Sequence, residues 1–114
     1  MSRQQTAYEH AWEICAAYRY RDFAGLDAVG SKVCALAGRH TPRDFIDVAA
    51  ALSRYTVAEL IDLARSTDPG LSDKDFADAG RRLDRINDQA FTRYGLTPAD
   101  ITELRTRMAA WPRP

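Results

Sequence analysis

The 114-residue sequence has no long apolar run and no excess of charge of either sign, and it contains only two cysteines and two histidines. A membrane-spanning helix needs about 18 or more consecutive apolar residues, and no stretch of this chain approaches that length. No basic start followed by an apolar run lies near the N-terminus, so we expect no secretory signal peptide. These absences predict a cytoplasmic protein with reduced thiols and no membrane partner.

The charge balance bears on the class of partner. The chain carries 16 basic and 16 acidic residues, whereas a general nucleic-acid coat protein has a strong positive excess. The charges are unevenly spread, because residues 44–88 carry ten acids against six bases. This polarity either orients a partner electrostatically or is an ordinary solvated face, and the sequence leaves both open.

The residues that hold metals or act as nucleophiles are few and scattered. His10 and His40 have no cysteine or carboxylate at the spacing of metal ligands. Cys15 and Cys34 lie in apolar helical stretches, where we expect buried and inert thiols, and the sequence leaves their pairing open. The acidic run over 68–78 has no glycine at the turn position of a calcium loop and no glutamate to close one. We therefore predict no metal, no cofactor and no catalytic site.

Helical periodicity dominates the sequence, and no segment alternates strictly between apolar and polar residues as a half-buried strand does. One helix is expected at about 3–20 and another after Asp22. Four further helix starts are marked by a capping residue with an acid three positions on, at Thr41, Thr56, Ser72 and Thr97. The pattern predicts a single all-α domain over residues 1–114, a compact bundle of about five to six short-to-medium helices without a β-sheet.

Glycine and proline suggest where these helices end. Gly30-Ser31 is expected to split the second segment, and Gly38 fits the left-handed position that follows a helix. Residues 67–70 form the clearest turn. The longest helix is predicted over 73–94, with Tyr94 on its buried face and Gly95 at its end.

Three candidate contact residues follow from position and residue type. Tyr20 and Arg21 fall off the apolar stripe of the first helix, and exposed tyrosine and arginine are favoured at interface hot spots. Trp111 near the C-terminus is either a core residue or an anchor for a partner.

A second group of candidates surrounds the helix start at Thr41. Arg39, His40 and Arg43 place basic side chains around free backbone N–H groups, an arrangement that favours a phosphate or carboxylate. Asp44 argues for ordinary capping instead, because it already supplies negative charge to the same turn.

These features predict a non-catalytic protein–protein interaction module, such as a small helical adaptor, inhibitor or regulator encoded by a bacterium, phage or mobile element. The alternative is a nucleic-acid-binding transcriptional regulator in which the helix after Thr56, the turn at 67–70 and the next helix form a helix-turn-helix-like segment. The acids over 73–78 would then face phosphates, which places this alternative second. Both a monomer and a homodimer fit the sequence.

Overall fold

A computed structural model describes residues 26–113, with side chains from Val29 onward, and this part of the chain is helical without any strand. Its elements are α1 (Leu26–Arg39), α2 (Pro42–Ala51), α3 (Val57–Thr67), α4 (Asp73–Arg85), α5 (Asp88–Thr92), α6 (Pro98–Arg107) and a 3₁₀ turn (Met108–Ala110). The predicted all-α bundle is confirmed. The helix expected at about 3–20, with Cys15, Tyr20 and Arg21, lies outside the described residues.

Short-range capping explains where three of the helices begin. In each, a threonine hydroxyl accepts a hydrogen bond from the backbone N–H three residues on, and the acid at that position accepts one from the threonine N–H. The pairs are Thr41 with Asp44, Thr56 with Glu59, and Thr97 with Asp100. Each cap stabilises its helix by about 1 kcal/mol. The helix starts predicted at these threonines are confirmed.

The core forms around α2, in which every residue from Asp44 to Ala51 is buried. Helix α1 packs against α2, α3 and α4, while α2 also contacts α5 and α6. A helix that is apolar nearly all round is stable only when it is covered on all sides, so α2 takes the central position. Among residues 26–113, none of the helices has the length and apolar character needed to cross a bilayer.

The predicted split at Gly30-Ser31 is wrong, because α1 runs unbroken through both residues. Gly30 lies where α1 crosses α3, and a Cβ atom at this position would lie 3.0 Å from the carbonyl oxygen of Leu63. The glycine therefore permits a close approach of two helices and does not interrupt its own.

The predicted left-handed position at Gly38 is also wrong. Helix α1 continues to Arg39, and His40 takes the left-handed conformation, with φ of 53°. Pro42 disfavours a helical conformation at Thr41. Helix α1 therefore cannot continue through Thr41, and the chain turns at His40. The Nδ1–H of His40 donates to the carbonyl of Leu36 at 2.6 Å, and the backbone N–H of His40 donates to the same carbonyl at 3.1 Å, at the end of α1.

The long helix predicted over 73–94 is two helices. Helix α4 ends at Arg85, Ile86 is extended with ψ of 130°, and Asn87 caps α5 by accepting from the N–H of Gln89 at 2.8 Å. The break changes which residues face the core, so that Phe91 is fully buried and Tyr94 is 46% exposed. Tyr94 was therefore wrongly assigned to the buried face. Gly95, with φ of 84°, follows the end of α5 at Thr92 by three residues.

Candidate interaction groove

A concave surface of the described residues lies between α3, α4 and the C-terminal segment. Its central cleft has a volume of about 320 Å³. The cleft is lined by Ala58, Ile61, Asp62, Arg65, Asp73, Phe76 and Pro112. Ile61, Phe76 and Pro112 give it an apolar floor, and the charged residues stand around them.

Two further depressions continue this cleft. One, of about 290 Å³, shares Asp62 with it and is lined by Tyr55, Glu59, Asp62 and Leu63. The other, of about 370 Å³, shares Asp73 and Pro112 with it and is lined by Asp73, Lys74, Ala77, Arg81, Pro112 and Arg113. Neighbouring depressions share lining residues, and we call the surface that the three cover the α3–α4 groove.

The C-terminal segment is held against α4 by its tryptophan. The indole Nε1–H of Trp111 donates to the carbonyl of Phe76 at 2.9 Å, and the two rings meet edge to face with centroids 6.2 Å apart. Trp111 is only 2% exposed. Of the two roles that the sequence left open for Trp111, the structure places it in the core, beneath the groove.

A glycine on α4 lets this segment approach so closely. A Cβ atom at Gly80 would collide with the carbonyl oxygen of Pro112 and contact the ring of Trp111 at 3.2 Å. Arg113 then folds back, donating through Nη1 to the carbonyl of Met108 at 2.7 Å and binding Asp84 at 3.1 Å. Backbone proximity and an ion pair together fix the wall of the groove that Pro112 forms.

Most cations of the groove are neutralised within it or at its edge. Arg65 forms an ion pair with Asp73, and its guanidinium carbon lies 5.4 Å from the centroid of the Phe76 ring. Lys74 and Arg81 both bind Asp78. The hydrogen bond from Lys74, with a further one from Arg81, holds the pKa of Asp78 below its ordinary value, so this carboxylate stays ionised at neutral pH.

The end of the groove formed by α3 is different, because its charges are acidic. The depression lined by Tyr55 and Leu63 contains two carboxylates, Glu59 and Asp62, and no base. Glu59 accepts from the backbone N–H of Thr56 at 3.0 Å. Asp62 is exposed, and its side chain makes no hydrogen bond or ion pair within residues 26–113. An uncompensated negative charge therefore stands at this end.

The residues predicted to favour an anion lie elsewhere. Arg39, His40 and Arg43 lie at the corner between α1 and α2 and do not line the α3–α4 groove. Arg39 binds the Oδ1 of Asp44 at 2.9 Å, and the Oδ2 of Asp44 accepts from the N–H of Thr41 at 3.0 Å. The carboxylate of Asp44 thus occupies the position at the helix start that an external anion would take, which favours capping. Tyr20 and Arg21 lie outside the described residues.

Ile61, Phe76 and Pro112 were not among the residues predicted to contact a partner, so the groove was not predicted from the sequence. One signal was present in the sequence. Residues 57–67 carry more apolar side chains than a single buried stripe needs, and the structure buries only Leu60 and Ala64 of that helix, leaving Ile61 half-buried. A surplus of apolar residues on a short helix indicates a second contact face.

The side chains that line the α3–α4 groove are apolar, acidic or basic, with one tyrosine, Tyr55. Its lining residues include no histidine, cysteine or serine. Across residues 26–113, no group of three His, Cys, Asp or Glu side chains is placed to hold a metal ion. Comparison with protein-family models, with curated proteins and with solved structures gave no match, so the function is argued from the geometry of the α3–α4 groove alone.

Proposed function

We propose that this protein is a non-catalytic protein-binding module, a small helical adaptor, inhibitor or regulator, that contacts its partner through the α3–α4 groove. The observation that carries the proposal is an apolar cleft with a charged rim, flanked by two depressions that share lining residues with it. Protein interfaces combine an apolar centre with a polar rim in this way.

Rigidity of the floor supports the proposal. Phe76 and Trp111 are 1% and 2% exposed and are joined by a ring contact and a hydrogen bond. A surface whose shape is fixed before binding loses less conformational entropy when a partner docks. The floor of the groove is therefore suited to recognition of a defined shape.

Nucleic-acid binding is the second candidate, because α3, the turn after it and α4 have the order of a helix-turn-helix segment. Arg82 and Arg85, on the last turn of α4, are exposed. The first turn of α4, which would enter a DNA groove, instead carries Asp73 and Asp75. Carboxylates facing phosphates are unfavourable, and this charge favours a protein partner.

Site-specific photo-crosslinking in living cells tests the proposal. A benzophenone amino acid replaces Ala58, an exposed residue of the central cleft, or, as a matched control, Thr102, an exposed residue of α6 outside the groove. We expect a discrete protease-sensitive adduct from position 58 that position 102 does not give. Adducts of equal yield at both positions would contradict a docking site in the groove, and a nuclease-sensitive adduct would support the nucleic-acid candidate.

A further inference from the structure

We infer that the α3–α4 groove recognises a linear segment of its partner that carries an apolar side chain next to a lysine or arginine. The inference rests on the proposed function and adds the chemistry of the segment. In this arrangement the apolar side chain enters the central cleft, and the basic side chain lies toward Asp62.

The central cleft limits the size of what can enter. Its volume of about 320 Å³ lies at the lower end of the roughly 300–1,000 Å³ range of ligand pockets. Ile61, Phe76 and Pro112 offer apolar contact, and Ala58 at the edge leaves the entrance wide. A single large apolar side chain, rather than a cofactor, fits this space.

The charge around the cleft determines which residue of the partner segment binds best beside its apolar side chain. The central cleft and the depression beside it contain three carboxylates, those of Glu59, Asp62 and Asp73, and one cation, Arg65. Arg65 already pairs with Asp73. The remaining negative charge belongs to Glu59 and Asp62, so an incoming cation is attracted to this end of the groove and an incoming anion is repelled.

Spacing on α3 strengthens the preference for a cation. Glu59 and Asp62 are three residues apart on one helix, where side chains are neighbours and like charges repel. Glu59 is engaged at the helix cap, whereas Asp62 is exposed and has no ion-pair partner within residues 26–113. A lysine or arginine of the partner would relieve this repulsion and pair with Asp62.

Selection of peptides on the full-length protein tests the inference. Random 12-residue peptides displayed on phage are selected on the immobilised chain, and the enriched sequence is synthesised with a fluorophore and titrated by fluorescence anisotropy. We expect the enriched peptides to pair an aromatic or aliphatic residue with a lysine or arginine. Enrichment of acidic or uncharged peptides, or of no common sequence, would overturn the inference.

Charge variants locate the contact. We expect Asp62→Asn to weaken binding of the enriched peptide about two- to fivefold, as for an exposed ion pair, and Asp62→Arg to weaken it further. Asp68→Asn is the matched control, because Asp68 is also exposed but lies outside the groove. Replacement of the basic residue of the peptide by glutamate should restore its binding to Asp62→Arg. Equal affinity for wild type and both Asp62 variants would contradict the inference.

The two proposals fail separately. A groove-specific protein adduct from position 58, together with peptides whose affinity does not depend on Asp62, would support the proposed binding module and contradict only the preference for a basic residue. The absence of any groove-specific adduct would contradict the proposed binding module itself.

Discussion

Single residues determine where the backbone of this protein turns and how closely two of its segments pack. Gly80 has no Cβ atom to meet the carbonyl oxygen of Pro112, and His40 accepts a left-handed conformation while its ring caps α1. Gly38, in contrast, is a helical and exposed residue with open space around the position of a Cβ atom. Replacement by alanine is therefore expected to change the free energy of unfolding in opposite directions at Gly38 and Gly80.

We expect Gly38→Ala to raise the free energy of unfolding by about 0.5–1 kcal/mol, because alanine restricts the unfolded chain and meets no obstacle in the folded one. Gly80→Ala should lower it by about 1–3 kcal/mol, since the added methyl group forces the C-terminal segment away from α4. Urea unfolding followed by circular dichroism measures both. Stabilisation by Gly80→Ala would show that the segment does not pack as described.

Cys34 is the second residue with a testable chemistry. Burial, with a smaller contribution from the charge of Asp68, raises the pKa of its thiol, and its Sγ lies 3.4 Å from the carbonyl of Ala64. Because the thiolate is the reactive form, we expect Cys34 to react more slowly than free cysteine with a disulfide reagent at pH 8.

A Cys15→Ser background isolates this thiol. Asp68→Asn should then increase the rate of reaction, because removal of the negative charge lowers the pKa of the thiol. Glu103→Gln, an exposed and distant carboxylate, is the control and should leave the rate unchanged. If Cys34 in the Cys15→Ser background reacts as fast as free cysteine, the predicted rise in its pKa is contradicted.

At the scale of elements, the break between α4 and α5 is fixed by an arginine from another helix. Arg105 donates through Nη1 to the carbonyl of Leu83 at 2.9 Å and through Nη2 to that of Ile86 at 2.8 Å, and it binds Asp88 at 2.7 Å. These carbonyls lie at and just after the last turn of α4, and that of Leu83 also accepts from the backbone N–H of Ile86 at 3.3 Å. The guanidinium thus closes one helix and pairs with the first residue of the next.

We expect Arg105→Ala to lower the free energy of unfolding by about 2–3 kcal/mol, because it removes a charged donor from two part-buried carbonyls and leaves that of Leu83 only the N–H of Ile86. Arg105→Lys should recover only part of this loss, since an ammonium cannot reproduce the planar fork. Chemical denaturation measures both variants. Arg93→Ala is the matched control, because Arg93 is exposed and makes no ion pair within residues 26–113. Equal stability of the Arg105 and Arg93 variants would show that the break does not depend on the guanidinium.

For the molecule as a whole, Trp111 joins the C-terminal segment to the core and to the floor of the groove. We expect Trp111→Ala to cost about 3–5 kcal/mol of stability, as for other large core aromatics. Trp111→Phe keeps much of the volume but leaves the Phe76 carbonyl without the indole donor, and should cost about 1–2 kcal/mol.

Thermal unfolding followed by circular dichroism separates these variants. The phenylalanine variant matters most, because it should remain folded even where the alanine variant does not. A Trp111→Phe variant as stable as wild type would mean that the hydrogen bond to Phe76 does not contribute.

Several helix starts could be predicted from the sequence because their causes lie within three residues. Thr41, Thr56 and Thr97 each meet an acid at the third following position, and the cap forms whatever the rest of the chain does. The break at Asn87 was missed although asparagine is a good cap. Leu83, Ile86 and Ala90 continue a helical spacing across it, and the donor that stabilises the break comes from Arg105, 22 residues beyond Leu83.

The sequence by itself determined that this part of the chain is helical and where several helices begin, because periodic apolar spacing and capping act between near neighbours. Only the tertiary structure decided that Tyr94 is exposed, that Gly30 and Gly80 mark close approaches, and that Ile61, Phe76 and Pro112 share a groove. Those outcomes depend on contacts between residues far apart in the chain, such as the 35 positions between Phe76 and Trp111, and local spacing carries no information about such pairs.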